Sequence, residues 1–393
     1  MMMDVLPAAI TSEDSTRQWV IRCLQGRLAP QTLAATRYLL AQSNLDWNRF
    51  LQLAQGEAVA PLLFQALRGQ AIVPAWVEAQ LEAAYYRNAC RNALLLHELA
   101  AVLQALARVG IEVIVLKGVA LAELVYRDIG VRPMSDLDLL IRSTDVGRAR
   151  HILADLGYTP LDLEMQAGYT EEFRNEATFG KQGLTEICID LHWRLFSPLY
   201  YQRRLTADWF WQTRLPIQIN QVTAFAFGPE AQLLHLCAHL SLHHQGEGLL
   251  WQHDIAEVLL YYRQQIDWTV LLQQARTFDL VLSLQQVLLS VTQNWDLTLP
   301  PEVWQGLQDL SPSPREVSVL GWLRAPHLRS SLRCFLADLS VAAGWRERLH
   351  LMWNMLFPTR AYMQRRYQIT HPLLIPLYYT YRVLLGLRRE SRE

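Results

Sequence analysis

The 393-residue sequence predicts an α+β fold in which a small mixed β-sheet core is flanked by N-terminal and C-terminal helical regions. Three observations carry that expectation. A helical period runs from about Ser15 to Arg108 and returns after Pro229. Between them, from Ile111, the chain changes to short β-branched runs of strand length. Those runs are separated by helical segments and glycine turns, the pattern of a compact α/β core. The expected division is a helical region at 1–108, the core at 109–228 and a second helical region at 229–393. A chain of this length is more than one hydrophobic core usually serves.

In chain order, Leu95, Leu99, Val102 and Leu106 repeat at helical spacing, and Gly110 stands where such a helix would end. Breaks near Pro30, Ser43 and Pro74 divide the residues before it into several helices. IEVIVL, beginning at Ile111, reads as a strand, and Lys117-Gly118 leads from it into the helical run VALAELVY. SDLDLLI, Ser135 to Ile141, is a second strand with Leu137, Leu139 and Ile141 on one face and Asp136 and Asp138 on the other. A helix from about Thr144 to Leu156 buries Ala149, Ile152, Leu153 and Leu156, and Gly157 ends it. EEFRNEATF and LTEICIDLHWRL read as two strands joined through Gly180 to Gly183, and QVTAFAFG as another.

The formal net charge of −1 gives no bulk attraction to nucleic acid or anionic lipid, leaving only a local patch to do so. Of 36 basic residues only Lys117 and Lys181 are lysines, which singles both out. Cys23, Cys90, Cys188, Cys237 and Cys334 are scattered and show no CxxC spacing, so neither a disulfide framework nor a zinc knuckle is expected. They read as reduced thiols of a cytoplasmic protein. The opening MMMDVLPAAITSEDSTRQW has no basic, then apolar, signal-peptide pattern, and no stretch reaches the roughly 18 apolar residues that span a bilayer.

Asp136 and Asp138 leave one strand face with Cα atoms roughly 6.5–7 Å apart, a costly pairing of like charges unless a cation lies between them. Magnesium takes oxygen ligands of this kind together with substrate phosphates. A partly exposed, solvated strand end would explain the pair without a metal. Context favours the metal. The Lys117-Gly118 turn offers backbone N–H groups to a phosphate, and a third acid, Asp190, shares its strand face with Cys188 and His192. Three acids on adjacent strands beside such a turn fit two-metal phosphoryl or nucleotidyl transfer.

The segment VLKGVALAELVYRDIGVRPMSDLDLLI, with the later IDLHWRL, resembles the uncharacterised nucleotidyltransferase family of the polymerase β-like superfamily. That family reads LKG, a short helix ending near a tyrosine, an arginine just before the DxD strand, and a later D/E-x-H-W element. The resemblance covers roughly residues 90–260. It implies a nucleotidyltransferase core that moves an NMP from an NTP, ATP by default, to an acceptor hydroxyl. Asp136, Asp138 and Asp190 would hold Mg2+, or Mn2+ in its place, and Asp190 would draw the acceptor's proton. Gly118 would let the backbone approach the phosphates. Lys117 stands where the wider superfamily has Gly-Ser, and would act as a point charge. Arg132 would meet the triphosphate, or else pair with Asp128. The acceptor is left open among small molecules, sugars, peptides and proteins, while the absence of a basic, aromatic-interleaved patch disfavours long nucleic acid. The alternative is a catalytically inactive binding or regulatory module that keeps the fold, motivated by the Lys-Gly turn.

His192 reads either as a partner of Asp190 and the acceptor or as a half-buried strand histidine, and Trp193 as core. His235, His239 and His243 line one helix face with His244 beside them, but the glutamate of a zinc HExxH motif is missing. The resembling family has a histidine-bearing helix followed by W-x-x-D, here Trp251 to Asp254. This would place His239 and Asp254 on the cleft side, with ordinary packing as the other reading. PLLIPLYYTYRVLLGLRRESRE closes the chain, interrupted by Pro376 and Arg382. A helix docked on the C-terminal bundle is expected there, an interfacial helix being the second reading.

Overall fold

Short runs of residues between Ile114 and Phe227 assemble a seven-stranded mixed sheet whose central strands are buried throughout. The computed structural model describes residues 12–387, apart from 167, 184–185, 326–329 and 343. The strands are β1 (Ile114–Val115), β2 (Leu137–Leu140), β3 (Thr159–Pro160), β4 (Glu176–Lys181), β5 (Ile187–His192), β6 (Arg214–Ile219) and β7 (Val222–Phe227). Their order is β3-β4-β5-β2-β1-β7-β6. β2 runs parallel to β5, and β1 parallel to β7, while the other neighbours are antiparallel.

One sheet face is dry. Leu137, Leu139, Ile189 and Leu191 pack there with Leu95, Leu99, Val102 and Leu106 of the helix Ala75–Arg108, and with Ala149 and Leu153 of the helix Val146–Asp155. Gly110 and Gly157, both at positive φ, follow these helices, a conformation that suits glycine at a helix end. Trp193 belongs to the same cluster. The opposite face, bearing the acids, looks toward the helices Pro229–His243 and Leu249–Tyr261.

Several elements differ from the sequence expectation. Ladder pairing in IEVIVL is confined to Ile114–Val115, although the Val113 carbonyl and the Leu116 amide still bond to Phe225 and Asp138. Only the end of EEFRNEATF is strand; Tyr169–Phe173 is a short helix whose Thr170 amide donates to Glu164. β3 and β6 were not foreseen, because Pro160 and Pro216 argue against strands. Both strands lie at sheet edges, where a missing N–H costs no ladder bond. The C-terminal helix spans Ile375–Leu387 and packs on the helix Arg360–Tyr367; the last residues of the tail, 388–393, lie outside the described part. Among the described residues no helix is long and apolar enough to cross a membrane.

Candidate active site

The register of β2 and β5 sets Asp138 directly opposite Asp190. In a parallel pair, facing residues project to the same side, so the two carboxylates share one face on strands about 4.8 Å apart. Asp136 lies just before β2, two residues from Asp138. β4 adds Thr178 opposite Asp190 and Glu176 opposite His192. Asp136, Asp138, Glu176, Asp190 and His192 line part of a cleft of about 800 Å³, whose wall also includes Lys117, Gly118, Arg132 and His239.

Asp138 is not the partly exposed acid that a bare DxD strand suggests. It is buried, and its Oδ1 receives Lys117 Nζ at 2.7 Å and lies 2.9 Å from His192 Nε2. Burial opposes ionisation, but the Lys117 charge and the His192 contact hold the carboxyl far below the usual range. On the other side of its ring, His192 Nδ1 lies 2.8 Å from Glu176 Oε2. Burial disfavours the imidazolium, yet the two carboxylates outweigh it and push His192 up to about 9. His192 is therefore a buried cation between two acids, and Glu176, which the sequence reading missed, is held down to about 2 against its own burial. Its place comes from the pairing of two strands, which sets Glu176 opposite His192 and which the sequence does not show.

The other two acids move upward. Burial, then the charge of Asp138, raises Asp136. Burial is also the main cause for Asp190, opposed by a Thr178 hydrogen bond and reinforced by Asp138 and Glu176, and it titrates at about 6. Asp190 Oδ1 is buried with no hydrogen-bond partner. Such an oxygen is costly unless a cation meets it.

Arg132 is fully engaged by protein. Its guanidinium donates to Asp254 Oδ2 at 2.7 Å and to the Pro133 carbonyl at 2.6 Å, and Asp254 also accepts from Tyr126 at 2.8 Å. Asp128, the alternative partner, is taken instead by Tyr85 and the Gly130 amide. Asp254 is wholly buried and does not line the cleft, which corrects its expected cleft-side place: it is the anchor that aims Arg132. Gly118 has a related task. A Cβ there would come within 2.6 Å of Arg132 Nη1 and 3.0 Å of Met134 Cγ, so the missing side chain makes room for the arginine. Lys117 adopts φ 45, a left-handed conformation that turns its stem back toward Asp138.

The loop carrying Arg132 into β2 is pinned by the helix Ala75–Arg108. Asn88 donates to the Gly130 carbonyl, Asn92 to those of Ile129 and Arg132, and Arg91 to those of Met134 and Ser135. Tyr85, Asn88 and Asn92 recur at helical spacing as a polar stripe, a signal that the apolar stripe Leu95–Leu106 overshadowed.

The histidine helix divides. His235 is buried against Phe196 and Phe227, as ordinary packing predicts. His239, His243 and His244 line the cleft; His239 and His244 face each other at 3.1 Å, and His244 stacks on Trp251. Burial, then the nearby Lys117 charge, keeps His239 well below the usual histidine range and so neutral at pH 7.

Among the described residues no three His, Cys, Asp or Glu side chains are already drawn around one point as metal ligands. The donor chemistry nevertheless suits a hard divalent cation. Asp136, Asp138 and Asp190 offer carboxylate oxygens on one side of the cleft, and the unpartnered Asp190 Oδ1 is the vacant acceptor among them.

One solved structure resembles this chain, the crystal structure of an antigenic nucleotidyltransferase-like protein from Paracoccidioides brasiliensis. It has 17% identity and a TM-score of 0.35, and the match covers 56% of this chain and 94% of that one. No curated protein matches. The family model for an uncharacterised nucleotidyltransferase matches residues 43–296, close to two-thirds of the sequence, from just before the helix Trp47–Gly56 to just past the helix Val281–Trp295. The chain belongs to that nucleotidyltransferase family.

Proposed function

We propose that this protein transfers a nucleoside monophosphate from an NTP to an acceptor hydroxyl, with Asp136, Asp138 and Asp190 as the ligands of Mg2+ or Mn2+. The observation that carries the reading is the face-to-face placement of Asp138 and Asp190 in the cleft, with one Asp190 oxygen left unpaired. Magnesium, when bound, supplies charge neutralisation and orientation at the transferred phosphate. Lys117 and Arg132 provide fixed positive charge on the same wall, aimed by Asp138 and Asp254. Asp190, opposite Asp138 and facing the cleft, is the carboxylate placed to take the proton of an acceptor hydroxyl. A cleft of this volume suits a nucleotide. ATP is the default donor; a small molecule, peptide or protein remains the acceptor class, and the protein is read as cytoplasmic.

The test is incubation with magnesium and α-phosphate-labelled ATP, GTP, CTP and UTP, followed by a search for label on the protein or on lysate components. Label transfer that disappears in Asp136→Ala is expected. A second reading has its own observation: Lys117 sits on Asp138, as in a module that keeps nucleotide binding without transfer. Nucleotide binding by calorimetry, with no labelled product under any condition, would favour that second reading.

A further inference from the structure

Beyond the cleft, the C-terminal helices carry an apolar face that their own packing does not use. The helix Trp345–Leu356 turns Leu351 and Asn354 inward. On its outer side Trp345, Leu349, Met352 and Trp353 follow one another at i, i+4, i+7 and i+8, and all four are exposed, Trp345 to 68%. The neighbouring helix Ile375–Leu387 buries Ile375 and repeats the pattern. Leu377, Tyr381 and Leu384 lie at i, i+4 and i+7 and are exposed, Leu377 to 66%, with exposed Leu373 in the short turn just before them. The two helices are tied together: Arg382 donates to the Met355 carbonyl, and Tyr379 donates to that of Pro358. Two outward apolar stripes on joined helices make a surface far more apolar than scattered exposed residues would.

The charge carried by these helices themselves is one-sided, although Glu172 of the core region reaches to within 4.0 Å of His350. Between residues 344 and 387 the sequence has six arginines (Arg346, Arg348, Arg360, Arg365, Arg366 and Arg382) against a single acid, Glu347. Glu347 already pairs with Arg203 of the core region. Arg346 lies over the Trp345 ring, 5.4 Å from its centroid, joining cation and aromatic at one edge of the face. We propose that this face is a docking surface for an anionic lipid membrane, in which the apolar stripes and tryptophans enter the interfacial layer while the arginines meet lipid phosphates. Interfacial helices combine these features: an apolar side bearing tryptophan and leucine, and a border of basic residues. A second copy of the chain fits the same surface poorly, because a two-fold pairing of like faces would set arginines against arginines. The helices are fixed to the core region through the Gln166 side chain on the Phe357 carbonyl and the Thr359 amide on that of Met165, so docking would hold the whole molecule at the surface.

The experiment is flotation of the full-length protein with vesicles of phosphatidylcholine, with and without phosphatidylglycerol. The protein is expected to float with the phosphatidylglycerol vesicles and to be released as salt is raised. Trp345→Ser with Trp353→Ser, and separately Arg365→Gln with Arg366→Gln, should each lower the bound-to-free ratio on the order of tenfold. Circular dichroism and the melting transition should stay as in the wild type, because these side chains are exposed. If the tryptophan variant misfolds, Leu377→Ser with Leu384→Ser is its substitute on the second stripe. Absence of flotation, equal binding to both vesicle types, or wild-type binding by the variants would overturn the proposal. So would a concentration-dependent dimer, lost on Trp345→Ser with Trp353→Ser, in a protein that does not float.

Discussion

Asp136 and Asp138 sit two residues apart, yet the structure makes them different acids. Asp138 is buried with its charge compensated by Lys117 and His192, whereas Asp136 is part-exposed and titrates above its ordinary value because of burial and its neighbour's charge. The expectation that either could be removed without harm to the fold therefore holds for one only. Asp136→Ala should leave urea stability in EDTA unchanged within about 0.5 kcal/mol, or raise it slightly by relieving repulsion. Asp138→Ala strands a buried ammonium and a buried imidazolium, and should cost about 3 kcal/mol. Equal stabilities would show that the Lys117–Asp138–His192 contacts contribute nothing net. For Lys117 the measurement is nucleotide affinity by calorimetry with magnesium present. Lys117→Ala should weaken it by about 1.5–3 kcal/mol, as for other charge-assisted hydrogen bonds. Lys117→Arg should also bind poorly, since a planar guanidinium on the same left-handed turn cannot place one donor as the slim lysine stem does. Wild-type affinity in both variants would leave Lys117 with no phosphate role.

At the scale of elements, the acid-bearing strands were legible because their alternation is clean: Leu137, Leu139, Ile187, Ile189 and Leu191 face inward and the acids face out. Glu176 was not, because it opens a short strand after a polar run, and its place opposite His192 depends on how that strand pairs. Nor was the Arg132–Asp254 contact, which joins residues 122 positions apart across two elements. A sequence shows which residues share an element, and pairings between elements emerge only when those pack. Gly118 illustrates the dependence. Its Cβ would displace a guanidinium that Asp254 fixes in place, so Gly118→Ala should lose about 1–3 kcal/mol in thermal unfolding, the usual cost of overpacking. Full stability would mean that Arg132 moves freely. Glu316 gives a second case, remote from the cleft. From the helix Pro314–Leu323 it accepts the Leu282 and Ser283 amides at the start of the helix Val281–Trp295. Burial raises it to about 7 despite those amides. Its folded value lies above its unfolded one, so the folded state binds the extra proton between about pH 4.5 and 7, and this contribution to stability is lost as pH rises through that window. Glu316→Gln keeps an oxygen acceptor but cannot ionise. Its urea stability should fall less between pH 5 and 7.5 than the wild type's, by roughly 1–3 kcal/mol. Parallel pH profiles would place the titration elsewhere.

At the scale of the molecule, the sheet does not own its core. Ile114, Leu116, Leu140, Phe196, Phe210 and Phe227 come from the 109–228 stretch, yet they belong to one buried cluster with Val20, Leu24 and Leu63 of the N-terminal helices. Leu234, Leu284 and Trp295 of the C-terminal helices join the same cluster. The dry sheet face likewise needs Leu95, Leu99, Val102 and Leu106 from the helix that ends at Arg108. Burying one such side chain contributes about 1.5–3 kcal/mol. Exposing a handful of them would exceed the roughly 5–15 kcal/mol by which a native domain is stable. The compositional change at Ile111 thus marks a change of secondary structure, and the packing runs straight across it. The C-terminal helices beyond residue 344 differ, since their buried residues form two small clusters, around Leu351 and around Met363 and Ile375, apart from the main one. Two fragments make the contrast measurable by urea unfolding followed with circular dichroism. Residues 109–228 alone should show no cooperative transition, because the sheet would present both its apolar faces to water. Residues 12–341 should unfold in a single cooperative step and retain nucleotide affinity, because every side chain named in the cleft and in the main cluster is present. A cooperative transition in the short fragment would make the sheet an autonomous domain and the helical flanks additions to it; failure of the long one would make the helices after 344 part of the same folding unit.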